Sequence, residues 1–202
     1  MKINLSIITD RLSRIQLSNN GVVLLEGTRE VPEEEMGLIT DVASKLANDF
    51  PRIVFRTGNA TGSDEAFASG IAQVDSSRLE YVLPHAGMGR KRLAAGSKQV
   101  AFQQATVAER DMLSKLTLQA SPIYQNLAAG ANRSSQMAAK FNYLLRDTLK
   151  VQGCSSLGLA PAHAGLFFVN TKHPGKGGTG HTVRVCELLD VPVWTQDVWL
   201  NT

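Results

Sequence analysis

The sequence predicts an α/β fold, a doubly wound, mostly parallel sheet of five strands with helices on both faces and a helical insert. Three observations carry that expectation. Short apolar, β-branched runs alternate with longer segments whose apolar residues fall at helical spacing. The connections between them are short, as in strand–helix–strand units. Several of the runs end in glycine-bearing turns, as strands do where they feed a helix or approach a ligand.

The elements follow in order. The run GVVLL over 21–25 reads as a buried strand that enters the turn EGTR over 26–29. Pro32 and three glutamates then open a segment in which Met36, Ile39, Val42, Ala43 and Leu46 recur at helical spacing. Acidic residues suit the positive end of a helix dipole, so this acidic cluster has a local explanation. A second strand, RIVFR over 52–56, leads into the loop TGNATGSDE, where Ser63 is a plausible N-cap and Asp64 and Glu65 lie in the first turn of a helix. A third strand, RLEYVL over 78–83, stops at Pro84. The alternation breaks there. Residues from about 85 to 132 form an insert whose segment 101–116 reads as a helix, and 133–150 is a long amphipathic helix with Met137, Phe141, Leu144, Leu145 and Leu149 on or near one face. A fourth strand over 167–169, a helix over 179–189 and a fifth strand over 191–194 complete the pattern. Residues 1–20 are an N-terminal extension in which a strand over the segment LSIIT, 5–9, and a short helix over 10–17 are both allowed. They would serve as an added edge element or a dimer arm; residues 21–202 form the main domain, and a homo-oligomer is expected.

Bulk properties bound the function. A chain of 202 residues can bury one good core, and its 43% hydrophobic and 19% charged residues are those of a globular protein. No apolar run approaches the ~20 residues that a membrane helix needs, so no membrane partner is expected. The charged residues that follow the first strand-like run leave no secretory cleavage pattern, and a cytoplasmic location is expected. Cys154 and Cys186 lie far apart without a C-x-x-C pattern, and His163 and His173 have no metal-ligand spacing, so neither a disulfide nor a metal site is expected. The net charge of +3 is mild, but it is unevenly spread: Arg90, Lys91, Arg92 and Lys98 lie in a stretch without acidic residues. That stretch reads as a solvated loop, or as a surface that faces phosphates.

The richest segment is HPGKGGTGH over 173–181, between a strand and a helix. Glycines at a helix start leave amide groups bare, and the dipole there favours an anion. Lys176 precedes Gly177 and Gly178, whereas a Walker A loop places its lysine last, so the segment gives no support to ordinary ATP hydrolysis. In an open parallel sheet, ligands sit at the carboxyl ends of strands where strand order reverses. If the first strand lies between the second and the fourth, the turns at 26–29, 57–65 and 172–181 converge on one crevice.

These turns resemble those of the SLOG superfamily, the Rossmann-like group that contains the DNA-processing protein A family and the LOG phosphoribohydrolases. GVVLLEGTR is similar to its opening strand and G-S-R turn. RIVFRTGNATGSDEAFASG resembles its second signature, G-G-A-x-G-x-D-x-x-A-x-x-G, with Asn59 where the second glycine often lies. LEYVLP resembles its third strand, and GKGGTGHTVRVCELLDVPV resembles the glycine–threonine turn of bacterial and phage-associated members of unassigned role. The resemblance spans nearly all of 21–195 outside the insert. It implies a bound nucleotide or nucleotide derivative, with no other cofactor, held by Gly27, Thr28, Arg29, Gly58, Asn59, Gly62, Ser63, Asp64, Lys176, Gly177, Gly178, Thr179, Gly180 and His181. Arg29 would fork two hydrogen bonds to phosphate. Asn142 and Arg146, one helical turn apart, could reach the same crevice.

One departure bears on chemistry. Over the P-G-G-x-G-T-x-x-E pattern of the LOG hydrolases, His181 falls at the threonine and Arg184 at the catalytic glutamate. A guanidinium is no general base at neutral pH. His181 could titrate near neutrality and assist proton transfer, although a first-turn histidine more often only donates to phosphate. Three functions are thus compared. The first is a module that senses, carries or sequesters a nucleotide. The second is a nucleoside-monophosphate N-glycosidase whose catalytic carboxylate is Asp64 or Glu65. The third is single-stranded nucleic-acid binding of the DNA-processing protein A type through the basic insert; it ranks last, because Phe102 is the insert stretch's one aromatic among those charges.

Overall fold

The computed structural model describes residues 2–3, 5–18 and 21–201. In chain order the elements are β1 (Lys2–Ile3), α1 (Ser6–Leu17), β2 (Val22–Gly27), α2 (Glu33–Asp49), β3 (Val54–Thr57), α3 (Ser63–Asp75), β4 (Leu79–Leu83), β5 (Lys98–Ala101), α4 (Val107–Ala120), α5 (Gln125–Ala131), α6 (Ser135–Gln152), β6 (Ala164–Phe168), α7 (Gly177–Leu188), β7 (Val193–Thr195), α8 (Gln196–Trp199) and β8 (Leu200–Asn201). The main sheet has six strands in the order β5-β4-β3-β2-β6-β7, and every neighbouring pair is parallel. β2 is therefore central, flanked by β3 and β6, and the strand order reverses beside it.

Alternation along β2 sorts the two layers. Val23 and Leu25 join Phe55, Leu79, Tyr81, Leu166 and Phe168 against Ile8, Leu12 and Ile15 of α1, Ile39 and Leu46 of α2, and Phe67 and Ile71 of α3. Leu24 and Phe167 turn to the other face and meet Val185 and Cys186 of α7. On that face Val82 and Val100 lie under Leu113 of α4 and Phe141, Leu144, Leu145 and Leu149 of α6. Both layers are thus filled at near-continuous apolar strands, as a doubly covered parallel sheet requires. Both cysteines are buried and unpaired. No described helix is long and apolar enough to cross a membrane.

Two expectations are corrected. The sheet has six strands, not five, because β5 lies inside the stretch read as a helical insert. Its sequence, KQVA, has one β-branched residue and a lysine, which suits an edge strand but hides it from a hydrophobicity count. Lys98 at its start pairs with Glu80 at 3.1 Å and donates to the Gly158 carbonyl at 2.6 Å. The N-terminal segment is a helix from Ser6 rather than from residue 10, and its residues Ile8, Leu12 and Ile15 are part of the main core. β1 pairs antiparallel with β8, which ties the two ends of the chain together.

Candidate functional site

Because β2 lies between β3 and β6, the turns that follow these three strands meet at one end of the sheet. Hydrogen bonds stitch them. The Thr28 amide donates to the Phe168 carbonyl at 2.8 Å, Ser63 donates from both its amide and its hydroxyl to the Thr28 carbonyl, and the Thr179 hydroxyl donates to the Gly27 carbonyl at 2.8 Å. The cleft they enclose has a volume of about 670 Å³, within the range of small-molecule sites.

The rim toward solvent carries Thr28, Arg29, Glu30, Asn170, His173 and Lys176. Arg29 is exposed and makes no ion pair among the described residues, so its guanidinium is uncommitted. α7 begins at Gly177 with no side-chain cap. Its first internal bond is from the Gly180 amide to the Lys176 carbonyl at 3.2 Å, and the amides of Gly177, Gly178 and Thr179 meet no acceptor among the described residues. Three bare N–H groups therefore open on the cleft at the positive end of a twelve-residue helix. Gly178 and Gly180 have steric reasons to be glycine. A Cβ on Gly178 would lie 2.9 Å from Asp147 Oδ2, and one on Gly180 would lie 2.2 Å from the Gly175 backbone.

The floor is ionic. On the face of the sheet where Leu24 packs, β2 carries Glu26 as its penultimate residue, and α6 crosses above it with Arg146, Asp147 and Lys150, all four buried. Lys150 Nζ is paired with Glu26 and lies 2.8 Å from Asp147 Oδ1. Arg146 Nη1 donates to the Gly58 carbonyl at 3.0 Å, and its Nε lies 3.3 Å from Asp147 Oδ1 without a hydrogen-bond partner. Asp64 is buried too; its Oδ2 accepts from the amides of Gly58 and Ala60, both at 3.2 Å, and so holds the second turn in shape. Burial pushes the Glu26 carboxyl up to about 7, with Asp64 and Asp147 adding to the rise against Lys150 and Arg146. Burial would also raise Asp147, but Arg146 and Lys150 outweigh it and hold that carboxyl below its usual range. The opposite wall is apolar and aromatic, made by Tyr124 and Leu127 before and within α5, and by Tyr143 and Leu144 of α6.

The predicted residues divide into three groups. Gly27, Thr28, Arg29, Asp64, Lys176, Gly177, Gly178, Thr179 and Arg146 line the cleft. Gly58, Asn59, Gly62 and Ser63 shape the second turn behind it. Asn59 sits at φ 60°, a left-handed conformation that asparagine tolerates better than most residues, which accounts for its standing at a glycine position. Gly62 has φ 78°, and a Cβ there would lie 2.6 Å from the Arg29 carbonyl oxygen. Glu65, Asn142, Gly180 and His181 are not among the lining residues. Glu65 is exposed on α3, one residue past the carboxylate that turns inward. His181 is fully buried, hydrogen-bonded to Ser121 at 2.8 Å and to Thr148 at 3.1 Å, and burial lowers its basicity. Thr179 directs its hydroxyl to Gly27, so only its amide is free for a ligand. At the position of the LOG glutamate, Arg184 braces Ser121 and the Gly175 carbonyl.

Glu26, Asp147, Lys150 and the two tyrosines were not among the expected site residues. For Glu26 a signal existed: it follows Leu24 by two on a strand, so it shares that residue's covered face.

No protein-family model matches this chain, and neither a curated protein nor a solved structure does. The chain is thus a six-stranded doubly wound α/β protein with one ionic-floored cleft at its topological switch point, among the described residues.

Proposed function

We propose that this cleft binds a nucleotide or nucleotide-derived ligand, as the resemblance to the SLOG superfamily implies. The observation that carries this reading is the set of unpaired amides of Gly177, Gly178 and Thr179, opening beside Lys176 and the uncommitted Arg29. Such donors at a helix start favour a phosphate, and arginine adds a forked contact. Tyr124, Leu127, Tyr143 and Leu144 offer aromatic and apolar side chains for a base, and the position at the strand-order reversal is where doubly wound folds take ligands.

A thermal-shift titration with ribonucleoside 5′-monophosphates tests it. At a ligand concentration of about a hundred times Kd, binding adds about 2.7 kcal/mol. For a chain of this size that raises Tm by roughly 5–10 °C. Arg29→Ala should lose that shift while the unliganded Tm stays put, because exposed substitutions usually change stability by less than about 0.5 kcal/mol. A full shift in the variant removes Arg29 from the site.

A second reading, N-glycosidase, is favoured by the buried carboxylates on the cleft floor. Asp64 remains in it as a lining residue, whereas exposed Glu65 has no place.

A further inference from the structure

The helix that offers the bare amides of the rim also grips the opposite wall. Three residues past Gly178, about 4.5 Å further along the axis, comes His181, and Arg184 follows a turn later; both reach a single hydroxyl. Ser121 Oγ lies 2.8 Å from Arg184 Nε and 2.8 Å from His181 Nδ1, and Ser121 is 1% exposed. Ser121 closes α4, its amide donating to the Thr117 carbonyl, and opens the 3₁₀ turn Pro122–Tyr124, its carbonyl accepting from the Tyr124 amide at 3.1 Å. The Tyr124 ring, part of the cleft wall, stands edge-on to the His181 ring at 5.8 Å. Arg184 also donates from Nη1 to the Gly175 carbonyl at 3.0 Å, in the loop just before the bare amides. One guanidinium thus ties the phosphate loop and the aromatic wall to the same point.

One ordering of protons satisfies every member of this chain. Arg184 Nε can only donate, so Ser121 accepts there and gives its own proton to His181 Nδ1. His181 then carries its proton on Nε2 and donates to Thr148 Oγ1 at 3.1 Å. Thr148 donates to the Leu144 carbonyl at 3.2 Å and accepts from Thr117 at 2.6 Å. Leu144 is itself part of the wall. Ser121, His181, Thr148 and Thr117 are all buried, so losing one bond leaves a buried group unsatisfied.

We infer that Ser121 is the specificity-determining joint of the cleft, a positioning residue that fixes the aromatic wall relative to the phosphate rim, so that the site selects a phosphorylated molecule bearing a flat unsaturated group over a sugar phosphate alone. This rests on the nucleotide reading above. Ser121 and Arg184 do not line the cleft, and they act through Tyr124, Leu144 and the Gly175 loop. A wall fixed in advance costs the ligand no ordering, whereas a wall free to swing must be ordered by each ligand that it covers.

The test measures, by calorimetric titration of the full chain, the Kd for each of the four common ribonucleoside 5′-monophosphates and for ribose 5-phosphate, and reads their ratio. The wild type should bind its preferred nucleotide roughly 5–150-fold more tightly than ribose 5-phosphate, the worth of one base on an aromatic side chain. Ser121→Ala should lower that ratio by about fivefold or more, because Tyr124 and Leu127 must then be ordered with each nucleotide, while ribose 5-phosphate binds as it does to the wild type. A hydroxyl that only stabilised the fold would weaken both ligands together, and an unchanged ratio overturns the inference. Arg184 is half-buried, so Arg184→Met keeps the test available should Ser121→Ala not fold, and it should lower the ratio likewise. Arg184→Lys, which keeps the charge and loses the fork, should behave as the methionine variant does. A lysine variant with the wild-type ratio overturns the inference, since charge alone would then set the preference. A wild type that binds nucleotide no better than ribose 5-phosphate overturns it and leaves the phosphate rim standing. A wild type that binds neither overturns it together with the nucleotide reading.

Discussion

Replacing Glu26 by glutamine tests the ionic floor without reference to any ligand. In the unfolded chain the Glu26 carboxyl titrates at its ordinary 4.5, and in the native protein at about 7. Below the lower value both states hold the proton and the residue contributes nothing to pH dependence. Between the two the native state keeps a proton that the unfolded state has released, so raising the pH favours unfolding. At about 1.36 kcal/mol for each pH unit, the rise from 4.5 to about 7 amounts to roughly 3 kcal/mol. The glutamine variant cannot titrate there. Equilibrium urea unfolding of both proteins, from about pH 4.5 to about pH 8, should show the wild type losing roughly 3 kcal/mol relative to the variant, with the change complete above neutrality. His163 and His181, both lowered by burial, add an opposite trend to each protein and cancel in the difference. Asp147 stays ionised throughout, held down by Arg146 and Lys150 although burial opposes them. A difference that is flat, or that grows in the wild type's favour with pH, would mean that Lys150 keeps Glu26 ionised and that the floor is an ordinary buried ion pair.

Two further outcomes follow from the walls of the cleft. A Cβ on Gly58 would lie 1.8 Å from Arg146 Nη1, so Gly58→Ala should drive the guanidinium off the Gly58 carbonyl. Urea unfolding should show a loss of about 1.5–3 kcal/mol, the worth of a hydrogen bond to a charged group, and less than about 1 kcal/mol when Arg146 is already alanine. Thr179→Ala removes the bond to the Gly27 carbonyl and should cost about 1 kcal/mol. Thr179→Ser should restore it, and unfolding midpoints of the two variants separate a hydroxyl effect from a general loosening of the turn.

How much of this was legible beforehand depends on what each residue type announces. β2, β3, β4 and β6 were readable because buried parallel strands are nearly all apolar, whereas the central position of β2 entered only as the condition under which the three turns meet, and the strand order supplies it. β5 was not, since KQVA at a sheet edge is held by backbone pairing and by the Lys98 contacts rather than by hydrophobicity. The rim was legible through its glycines. The floor was legible only in Asp64 and Arg146, because Asp147 and Lys150 look like the solvated side of an amphipathic helix. They are buried only because the sheet face below presents Glu26, Arg56 and Glu80, with Arg56 donating to Glu80 at 2.8 Å and to the Lys150 carbonyl at 2.8 Å. Charge matching between a strand surface and a helix surface far away in sequence is a tertiary property that no single segment encodes. His181 was misplaced for a related reason: its position in the first turns of α7 suggested the ligand, but the helix rotates it toward Ser121 and Thr148.

The claim on which the account turns is that the start of α7 holds a phosphate with its bare amides. A ¹H–¹⁵N correlation titration with a ribonucleoside 5′-monophosphate reads those amides one by one. The earliest and largest shifts are expected at Gly177, Gly178 and Thr179, joined by Thr28 and Arg29, with the same set responding more weakly to inorganic phosphate. Shifts confined to other parts of the chain, or none at saturating nucleotide, would contradict it.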